Sequence, residues 1–247
     1  MADIVICGAN EGIGYYMAAS LLDSSHRVAV LDIALDSIGS LAGRYDGRLL
    51  CYRADVREYE AVKRAIKSAS EAFGGIDVAV QNACLCPFER FGTSGGGVFE
   101  SSYYVNYIGA VNLTRAALPH MRRGGRIAFT SSGVGLTGFP GLTAYASTKG
   151  AIESLAKCLR LEYSDTGVSF HILHPPLTRT RSSSPLPVPP EFMASPETVG
   201  KGLARNLFSK RFIICHSRLQ KAQTLACYMF PLKLGALMSR MAAKAAI

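Results

Sequence analysis

The last fifty residues of this 247-residue chain, 198–247, contain no aspartate or glutamate. Nine of its 27 lysines and arginines lie in this stretch, while the other eighteen bases balance all eighteen acids. The formal net charge of +9 therefore comes entirely from the C-terminal fifth. Bases and aromatic residues do not alternate there, as they do on many surfaces that bind nucleic acid, so we expect no nucleic-acid partner.

Long apolar runs are missing as well, and no uninterrupted run is long enough to cross a bilayer as a helix. The first predicted strand begins at Asp3, which leaves no room for a signal peptide, so we expect a cytoplasmic protein. The seven cysteines are scattered singly, apart from Cys84 and Cys86. Because that pair has no further metal ligands nearby, we expect reduced thiols and no metal site.

Short apolar strands alternate with helical stretches along the chain. Strands are predicted at residues 3–7, 27–32, 48–53, 77–80, 126–130, 168–173 and 211–215. This alternation predicts an α/β fold, with a single Rossmann-type, doubly wound parallel sheet of about seven strands and helices on both faces. We expect one domain over residues 1–215 and a basic, partly amphipathic helical extension over residues 216–247.

The first predicted strand leads directly into a glycine-rich segment, 8–14, which reads Gly-Ala-Asn-Glu-Gly-Ile-Gly. Glycines there allow a tight turn and a close approach to a pyrophosphate at a helix N-terminus. Asp32 ends the second strand, where a carboxylate binds a ribose 2′-hydroxyl and repels a 2′-phosphate. Glu11 and Ile33 occupy the positions where a compensating base is usual, so the segment favours NAD. The alternative interpretations are that the glycine-rich segment forms a turn with only a structural role and that Asp32 is a solvated aspartate at the end of a strand.

Tyr145 and Lys149 stand four residues apart, and Ser132 lies thirteen residues before the tyrosine. Residues four apart share one face of a helix, so the ammonium would lie beside the phenol and favour its ionised form. Such a pair is a candidate for proton transfer. An ordinary half-exposed helix is the alternative, because the two residues meet by chance in many helices.

Together these motifs resemble the short-chain dehydrogenase/reductase family, in the family's order, from Asp3 to about Cys215. The resemblance implies a catalytic set of Asn106, Ser132, Tyr145 and Lys149. It implies cofactor contacts from Gly8, Asn10, Glu11, Gly12, Ile13, Gly14, Asp32, Asp55, Val56, Asn82, Tyr145, Lys149, Pro175, Thr178 and Thr180. Asp55 and Val56 match the adenine-contacting segment, and residues 174–180 match the segment that closes over the nicotinamide.

The resemblance also implies a mechanism. Tyr145 would take the proton of a secondary alcohol while a hydride passes to NAD, and ketone reduction would use the same groups in reverse. Lys149 would lower the phenol pKa and hold the nicotinamide ribose. Ser132 would orient the reacting oxygen, and Asn106 would hold a water in a proton relay.

Two residues depart from the family pattern. Cys84 stands where the family usually has a glycine close to the adenosine ribose. Pro176 replaces the usual glycine of the nicotinamide segment and removes a backbone donor. An NAD-dependent alcohol dehydrogenase or ketone reductase remains the favoured function, with an NAD-binding sensor or scaffold without turnover as the alternative. The family suggests a homodimer or homotetramer built on the helices that carry Asn106 and Tyr145.

The acid-free tail adds one expectation about partners. After Pro231, a predicted helix start, three bases fall within about 40° on a helical wheel beside an apolar face. The bases are Lys233, Arg240 and Lys244, and the apolar residues are Leu234, Leu237, Met238 and Met241. Such a helix lies in a membrane interface or docks on its own domain or a second subunit. Membrane contact would favour a lipophilic substrate. The serine- and proline-rich run 182–190 is either a mobile lid or a passive loop.

Overall fold

The computed structural model describes residues 1–45 and 47–245. Its strands form one parallel sheet in the order β3-β2-β1-β4-β5-β6-β7. They are β1 (Asp3–Cys7), β2 (Arg27–Asp32), β3 (Leu49–Arg53), β4 (Ile76–Gln81), β5 (Met121–Thr130), β6 (Ser169–His174) and β7 (Ile213–Cys215). The strand order reverses direction between β1 and β4, which opens a crevice at the carboxyl ends of these strands. The predicted α/β class and doubly wound sheet are confirmed.

Helices cover both faces of the sheet. They are α1 (Gly12–Asp23), α2 (Asp36–Gly39), α3 (Tyr59–Phe73), α4 (Gly96–Ser102), α5 (Gly109–Ala117), α6 (Val134–Thr137), α7 (Thr143–Glu162), α8 (Pro196–Asn206), α9 (Arg218–Met229) and α10 (Pro231–Ala245). A π-helical stretch, Tyr103–Ile108, joins α4 to α5. The apolar sides of α3, α5 and α7 are buried on one face, and those of α1 and α8 on the other.

The apolar sequence of β1 explains its central place in the sheet. Val5 and Cys7 are buried in one core, and Ile4 and Ile6 are buried in the other. Successive side chains of a strand point to opposite faces, so a strand covered by helices on both sides needs a continuous apolar run. The same two-sided burial places the glycine-rich turn after β1 in the middle of the crevice.

The start of β5 differs from the prediction. This strand begins at Met121, five residues before the predicted start at residue 126. The intervening Arg-Arg-Gly-Gly sequence lacks the apolar pattern of a strand, but Arg122 reaches two carboxylates at the sheet's amino edge. Its Nη1 lies 2.7 Å from Asp3 Oδ2 and 2.9 Å from Asp77 Oδ2. These contacts between distant residues hold the segment beside β4, where the pairing shifts register between Ile76 and Val78.

The C-terminal segment, residues 216–245, forms α9 and α10, and a helix begins at Pro231 as predicted. The hydroxyl of Ser217 accepts a hydrogen bond from the Gln220 amide and caps α9. Gly235 of α10 packs so closely on α6 that a Cβ there would lie 2.5 Å from the Thr137 carbonyl oxygen. One side of this segment is therefore docked on the domain. Across the described residues, no helix combines the length and hydropathy needed to cross a bilayer.

Candidate active site

The expected site residues come together at the carboxyl edge of the sheet, although they are scattered through the sequence. Gly8 follows β1, Asp32 ends β2, and Asn82 follows β4. Ser132 lies two residues after β5, and the nicotinamide segment 175–180 follows β6. Parallel strands bring these ends to one edge, which is where open α/β sheets bind ligands.

The glycine turn leaves no room for side chains at two of its positions. A Cβ on Gly8 would lie 2.3 Å from the Ala83 backbone nitrogen, and one on Gly14 would lie 2.1 Å from the Gly8 carbonyl oxygen. Gly8 and Gly12 have positive φ angles of 81° and 62°. These glycines are required by close backbone packing and by left-handed conformations, which favour glycine over every other residue. Ile13 follows within the first turn of α1 and packs on the core.

Asp32 and Asn10 fix the turn against β2. The Asn10 amide donates to Asp32 Oδ2 at 2.9 Å, and the Asn10 side-chain oxygen accepts from the amides of Ser37 and Ile38. The Ala34 amide donates to Asp32 Oδ1 at 3.3 Å. A carboxylate oxygen accepts more than one hydrogen bond, so Asp32 keeps acceptor capacity for a ribose hydroxyl.

Asn82 ties β4 to both neighbouring strands. Its Nδ2 donates to the Gly8 carbonyl at 2.6 Å, and its Oδ1 accepts from the Thr130 hydroxyl at 3.1 Å. The Cys84 side chain is half-buried two residues further on. A side chain is thus accommodated at the position where the family pattern has glycine.

Asp55 and Val56 lie beyond β3 and have different environments. Asp55 pairs with Arg57 at 2.6 Å, and this side-chain hydrogen bond outweighs burial to lower the pKa of its carboxyl. Val56 is buried against Gly109, where a Cβ would lie 2.9 Å from a Val56 methyl group. The Val56 carbonyl accepts from Asn112, so α5 holds this segment in place.

Tyr145, Lys149 and Ser132 meet where β5, α6 and α7 converge. The Lys149 Nζ lies 5.4 Å from the centroid of the Tyr145 ring, as their spacing on α7 predicts. Lys149 is only 1% exposed, and its ammonium donates to the Thr130 carbonyl at 2.8 Å. The Ser132 side chain lies near the phenol and favours its ionised form.

The pKa expectation for the phenol is wrong in this structure. Burial raises the pKa of Tyr145 well above its ordinary value, and the nearby Ser132 side chain offsets this only in part. Burial also lowers the pKa of Lys149. Desolvation penalises both charged forms and here exceeds their mutual attraction. At neutral pH Tyr145 is therefore a phenol, which is ready to donate a proton.

Asn106 occupies the π-helical stretch and is fully buried. Its Oδ1 accepts from the Leu85 amide at 2.7 Å, and its Nδ2 donates to the Leu85 carbonyl and to the Thr148 hydroxyl, both at 2.9 Å. Both amide hydrogens are thus committed, and a water in the expected relay has only the remaining Oδ1 lone pair of this side chain to bind. The described contacts make Asn106 a link between the loop after β4 and α7.

The nicotinamide segment folds back on the glycine turn. The Thr178 hydroxyl donates to the Pro176 carbonyl at 2.7 Å, which leaves its oxygen lone pairs as acceptors. The Thr180 methyl group is 3.2 Å from a Cβ built on Gly12, and Arg181 Nη1 lies 3.5 Å from Glu11 Oε1. The turn and the segment thus face one another across the crevice.

An open hollow of about 450 Å³ lies beside the loop after β4. Its lining consists of Leu85, Pro87, Gly95, Gly97, Val98 and Ser101. Leu85 is also the residue held by Asn106, so the hollow adjoins this one member of the predicted catalytic set. Its lining is mainly apolar. No cluster of potential metal ligands occurs in the part of the chain that the structure describes.

Comparison with known proteins identifies the family. A family model described as short chain dehydrogenase matches residues 2–187. The chain belongs to the short-chain dehydrogenase/reductase family. Oxidoreductase UcpA of Salmonella typhimurium is 36% identical over 71% of this chain and 69% of that protein. The 3-ketodihydrosphingosine reductase of Bos taurus is 30% identical over 72% of this chain and 57% of that protein.

The fold agrees with solved members of the short-chain dehydrogenase/reductase family. A Burkholderia cenocepacia short chain dehydrogenase, solved in complex with NADP, superposes with a TM-score of 0.81 at 18% identity. The alignment covers 95% of this chain and 96% of that structure. The family model makes the protein an oxidoreductase of this family, and the superposition agrees with its nucleotide-binding Rossmann-type fold.

The residues present fit the nicotinamide dinucleotide that the family binds. The turn has no side chains at Gly8 and Gly14, where the backbone packs closely. Asp32 can accept a further hydrogen bond at the end of β2. Within the described residues, the buried Lys149 ammonium donates one hydrogen bond, although it carries three N–H groups. A ribose hydroxyl is a suitable acceptor for the others.

The buried Glu153 and His174 and the half-buried Tyr228 form a polar cluster next to the site that sequence reasoning missed. Glu153 lies on α7 one turn beyond Lys149, His174 ends β6, and Tyr228 belongs to α9. The only signal in the sequence was the spacing of four between Lys149 and Glu153. The partners come from distant elements, which no local pattern brings together.

Proposed function

We propose that this protein is an NAD-dependent oxidoreductase that interconverts a lipophilic ketone and its secondary alcohol. The observation that carries the proposal is the pair formed by the half-buried Tyr145 and the buried Lys149, with Ser132 near the phenol. A phenol that keeps its proton at neutral pH is suited to protonate the oxygen of a ketone during reduction.

The remaining residues have the following roles in the proposal. NADH supplies the hydride when it is bound. Ser132 orients the ketone oxygen, and Lys149 binds the nicotinamide ribose with its free N–H groups. Thr178 offers acceptor lone pairs at the segment after β6, together with Pro175 and Thr180. Asn106 holds the loop of Leu85 against α7, so that the substrate hollow and the proton donor keep a fixed relation.

Asp32 supports NAD over NADP, because its carboxylate repels a 2′-phosphate. The Burkholderia protein was solved in complex with NADP, so the preference of this protein between the two cofactors has to be measured. The apolar hollow beside Leu85 and the name of the bovine relative, a reductase of 3-ketodihydrosphingosine, both favour a lipophilic ketone.

The proposed contact with a membrane uses the free side of the C-terminal segment. Leu232 is 82% exposed and Met241 is 62% exposed, with the exposed bases Lys233 and Arg240 on the same helix. Apolar side chains beside bases suit an anionic bilayer surface. The side chain of Lys244, the third base of the predicted stripe, lies outside the described residues.

The alternative without turnover rests on Cys84 and Pro176. Both residues are accommodated in the structure, and the groups needed for catalysis lie beside them, so we favour the enzyme. A homodimer or homotetramer built on α5 and α7 belongs to the same proposal. The exposed Tyr103 and Tyr104, at the start of the π-helical stretch before α5, are apolar surface for such a contact.

The test is NADH oxidation with ketones graded from short and polar to long-chain, with Tyr145→Phe as the variant. We expect loss of at least about a hundredfold in kcat with NADH affinity unchanged, because only the proton donor is removed. Reduction should stay constant through neutral pH and fall as pH rises through the phenol pKa, whereas alcohol oxidation should increase over that range. NADH binding without turnover of any ketone would favour the sensor.

A further inference from the structure

Glu153 is a buried carboxylate that the proposed reaction does not use. It is 3% exposed and lies four residues after Lys149 and eight after Tyr145, so all three share one face of α7. A carboxylate in such a position is costly unless hydrogen bonds stabilise its charge. Its partners therefore indicate why it is there.

Two of these partners come from outside α7. His174 Nε2 lies 2.8 Å from Glu153 Oε1, and the Tyr228 hydroxyl donates to Glu153 Oε2. The Tyr228 oxygen is also 3.3 Å from His174 Nε2, so the three side chains touch one another. His174 is completely buried at the end of β6 and directly precedes Pro175.

The protonation states of this cluster follow from its contacts. Burial alone would raise the pKa of Glu153, but the neighbouring His174, Ser131 and Tyr228 side chains outweigh it, and the pKa lies below its ordinary value. Burial and the adjacent carboxylate raise the pKa of Tyr228. At neutral pH Glu153 is an anion and Tyr228 keeps the proton that it donates.

This one carboxylate joins two of the segments that carry the proposed chemistry. Glu153 follows Lys149 by one helical turn, and His174 leads into the nicotinamide segment. Tyr228 adds the C-terminal segment to this set. We propose that Tyr228 is a positioning residue for the active site, whose hydroxyl holds Glu153 against His174 and thereby fixes the nicotinamide segment relative to the catalytic helix.

This inference rests on the proposed function, because it concerns the geometry in which cofactor and proton donor meet. The positioning role of Tyr228 differs from a purely structural role in what its loss changes. A structural hydrogen bond changes stability alone, whereas a positioning bond also changes NADH affinity and kcat. The C-terminal segment then belongs to the active site and is more than an extension that follows the domain.

The matched control is Tyr45, which makes the same kind of bond at the opposite edge of the sheet. Its hydroxyl donates to Asp23 Oδ1 at 2.6 Å, and its side chain is buried just before β3. Tyr228→Phe and Tyr45→Phe each remove one hydroxyl that donates to a carboxylate. Both variants should lower the urea midpoint, and Tyr228→Phe should lower it more, because Glu153 is buried whereas Asp23 is half exposed.

The experiment measures NADH affinity by fluorescence titration, together with kcat and KM where a ketone is turned over. For Tyr228→Phe we expect about tenfold weaker NADH binding and about tenfold lower kcat, with Tyr45→Phe within twofold of the unmutated protein. In a Glu153→Gln background, Tyr228→Phe should have little further effect on NADH affinity and kcat, because the carboxylate that accepts the Tyr228 hydrogen bond is already absent.

NADH affinity and kcat of Tyr228→Phe equal to those of Tyr45→Phe would overturn the positioning role. Absence of turnover in the unmutated protein would contradict the proposed function alone, and the two NADH affinities would still decide for or against Tyr228. Failure of the unmutated protein to bind NADH would overturn both.

Discussion

The two sides of the crevice are built in different ways. On the side of β1 and β2, the site consists of closely packed backbone without side chains. A Cβ atom on Gly8 or Gly14 would clash with neighbouring backbone atoms. On the side of β5 and β6, the site consists of buried polar side chains such as Lys149, Glu153 and His174. The first side is therefore sensitive to added atoms, and the second to the loss of a hydrogen-bonding partner.

The strongest test of the first side is Gly8→Ala. The substitution combines a positive φ of 81° with a clash of 2.3 Å against the Ala83 backbone, so we expect a loss of about 2–4 kcal/mol in unfolding free energy. NADH binding should be lost with it. Urea unfolding and fluorescence titration measure the two effects.

Two control glycines separate the causes. Gly124 has a φ of 84° with open space around it, so Gly124→Ala should cost about 1 kcal/mol. Gly14 has no positive φ but would clash with the Gly8 carbonyl, so Gly14→Ala isolates the steric contribution. Equal stability of Gly8→Ala and Gly124→Ala would show that the close approach to Ala83 is unimportant.

The same contrast explains what the sequence predicts and what it does not. Gly8, Asp32, Tyr145 and Lys149 belong to short local patterns, and the structure places them at one edge of the sheet. The start of β5 at Met121 depends on ion pairs from Arg122 to Asp3 and Asp77, which are distant in sequence.

The Glu153 cluster likewise depends on partners from two other elements. The expected lowering of the Tyr145 pKa was wrong, because the residue spacing indicates the neighbouring charge of Lys149 but not the desolvation of both groups. Local patterns thus locate the chemistry, while tertiary packing decides the protonation state.

Asp32→Asn tests whether one carboxylate sets the cofactor preference of the first side. The amide keeps an oxygen to accept from Asn10 but loses the charge, so NADH should bind about 10- to 150-fold more weakly. NADPH binding should stay equal or improve, because repulsion of the 2′-phosphate is removed. Fluorescence titration with both cofactors measures the change.

Asp36→Asn is the matched control for this change, because it removes the same charge from an exposed position four residues along the chain. Its NADH affinity should stay within about twofold. A protein that already prefers NADPH, or an Asp32→Asn variant with unchanged preference, would contradict the role given to Asp32.

The smallest expected effect concerns the outer surface of the second side, where α10 carries the proposed membrane contact. Replacing Lys233 and Arg240 by alanine should weaken binding to phosphatidylserine vesicles by about 1 kcal/mol, or about fivefold, for each base. The control replaces Lys63 and Lys67 of α3, two exposed bases that neighbour Glu60 and Glu71. Vesicle sedimentation compares the two pairs.

Both pairs lower the net charge equally, so a general attraction between a basic protein and an anionic surface would weaken equally in the two variants. A local contact through α10 predicts a loss only in the Lys233 and Arg240 variant, and a smaller loss at high salt, where screening already removes the attraction. Replacing Leu232 by serine should then weaken binding even at high salt, because burial of apolar surface is not screened. Equal losses in the two pairs, with no effect at Leu232, would leave α10 without a membrane role.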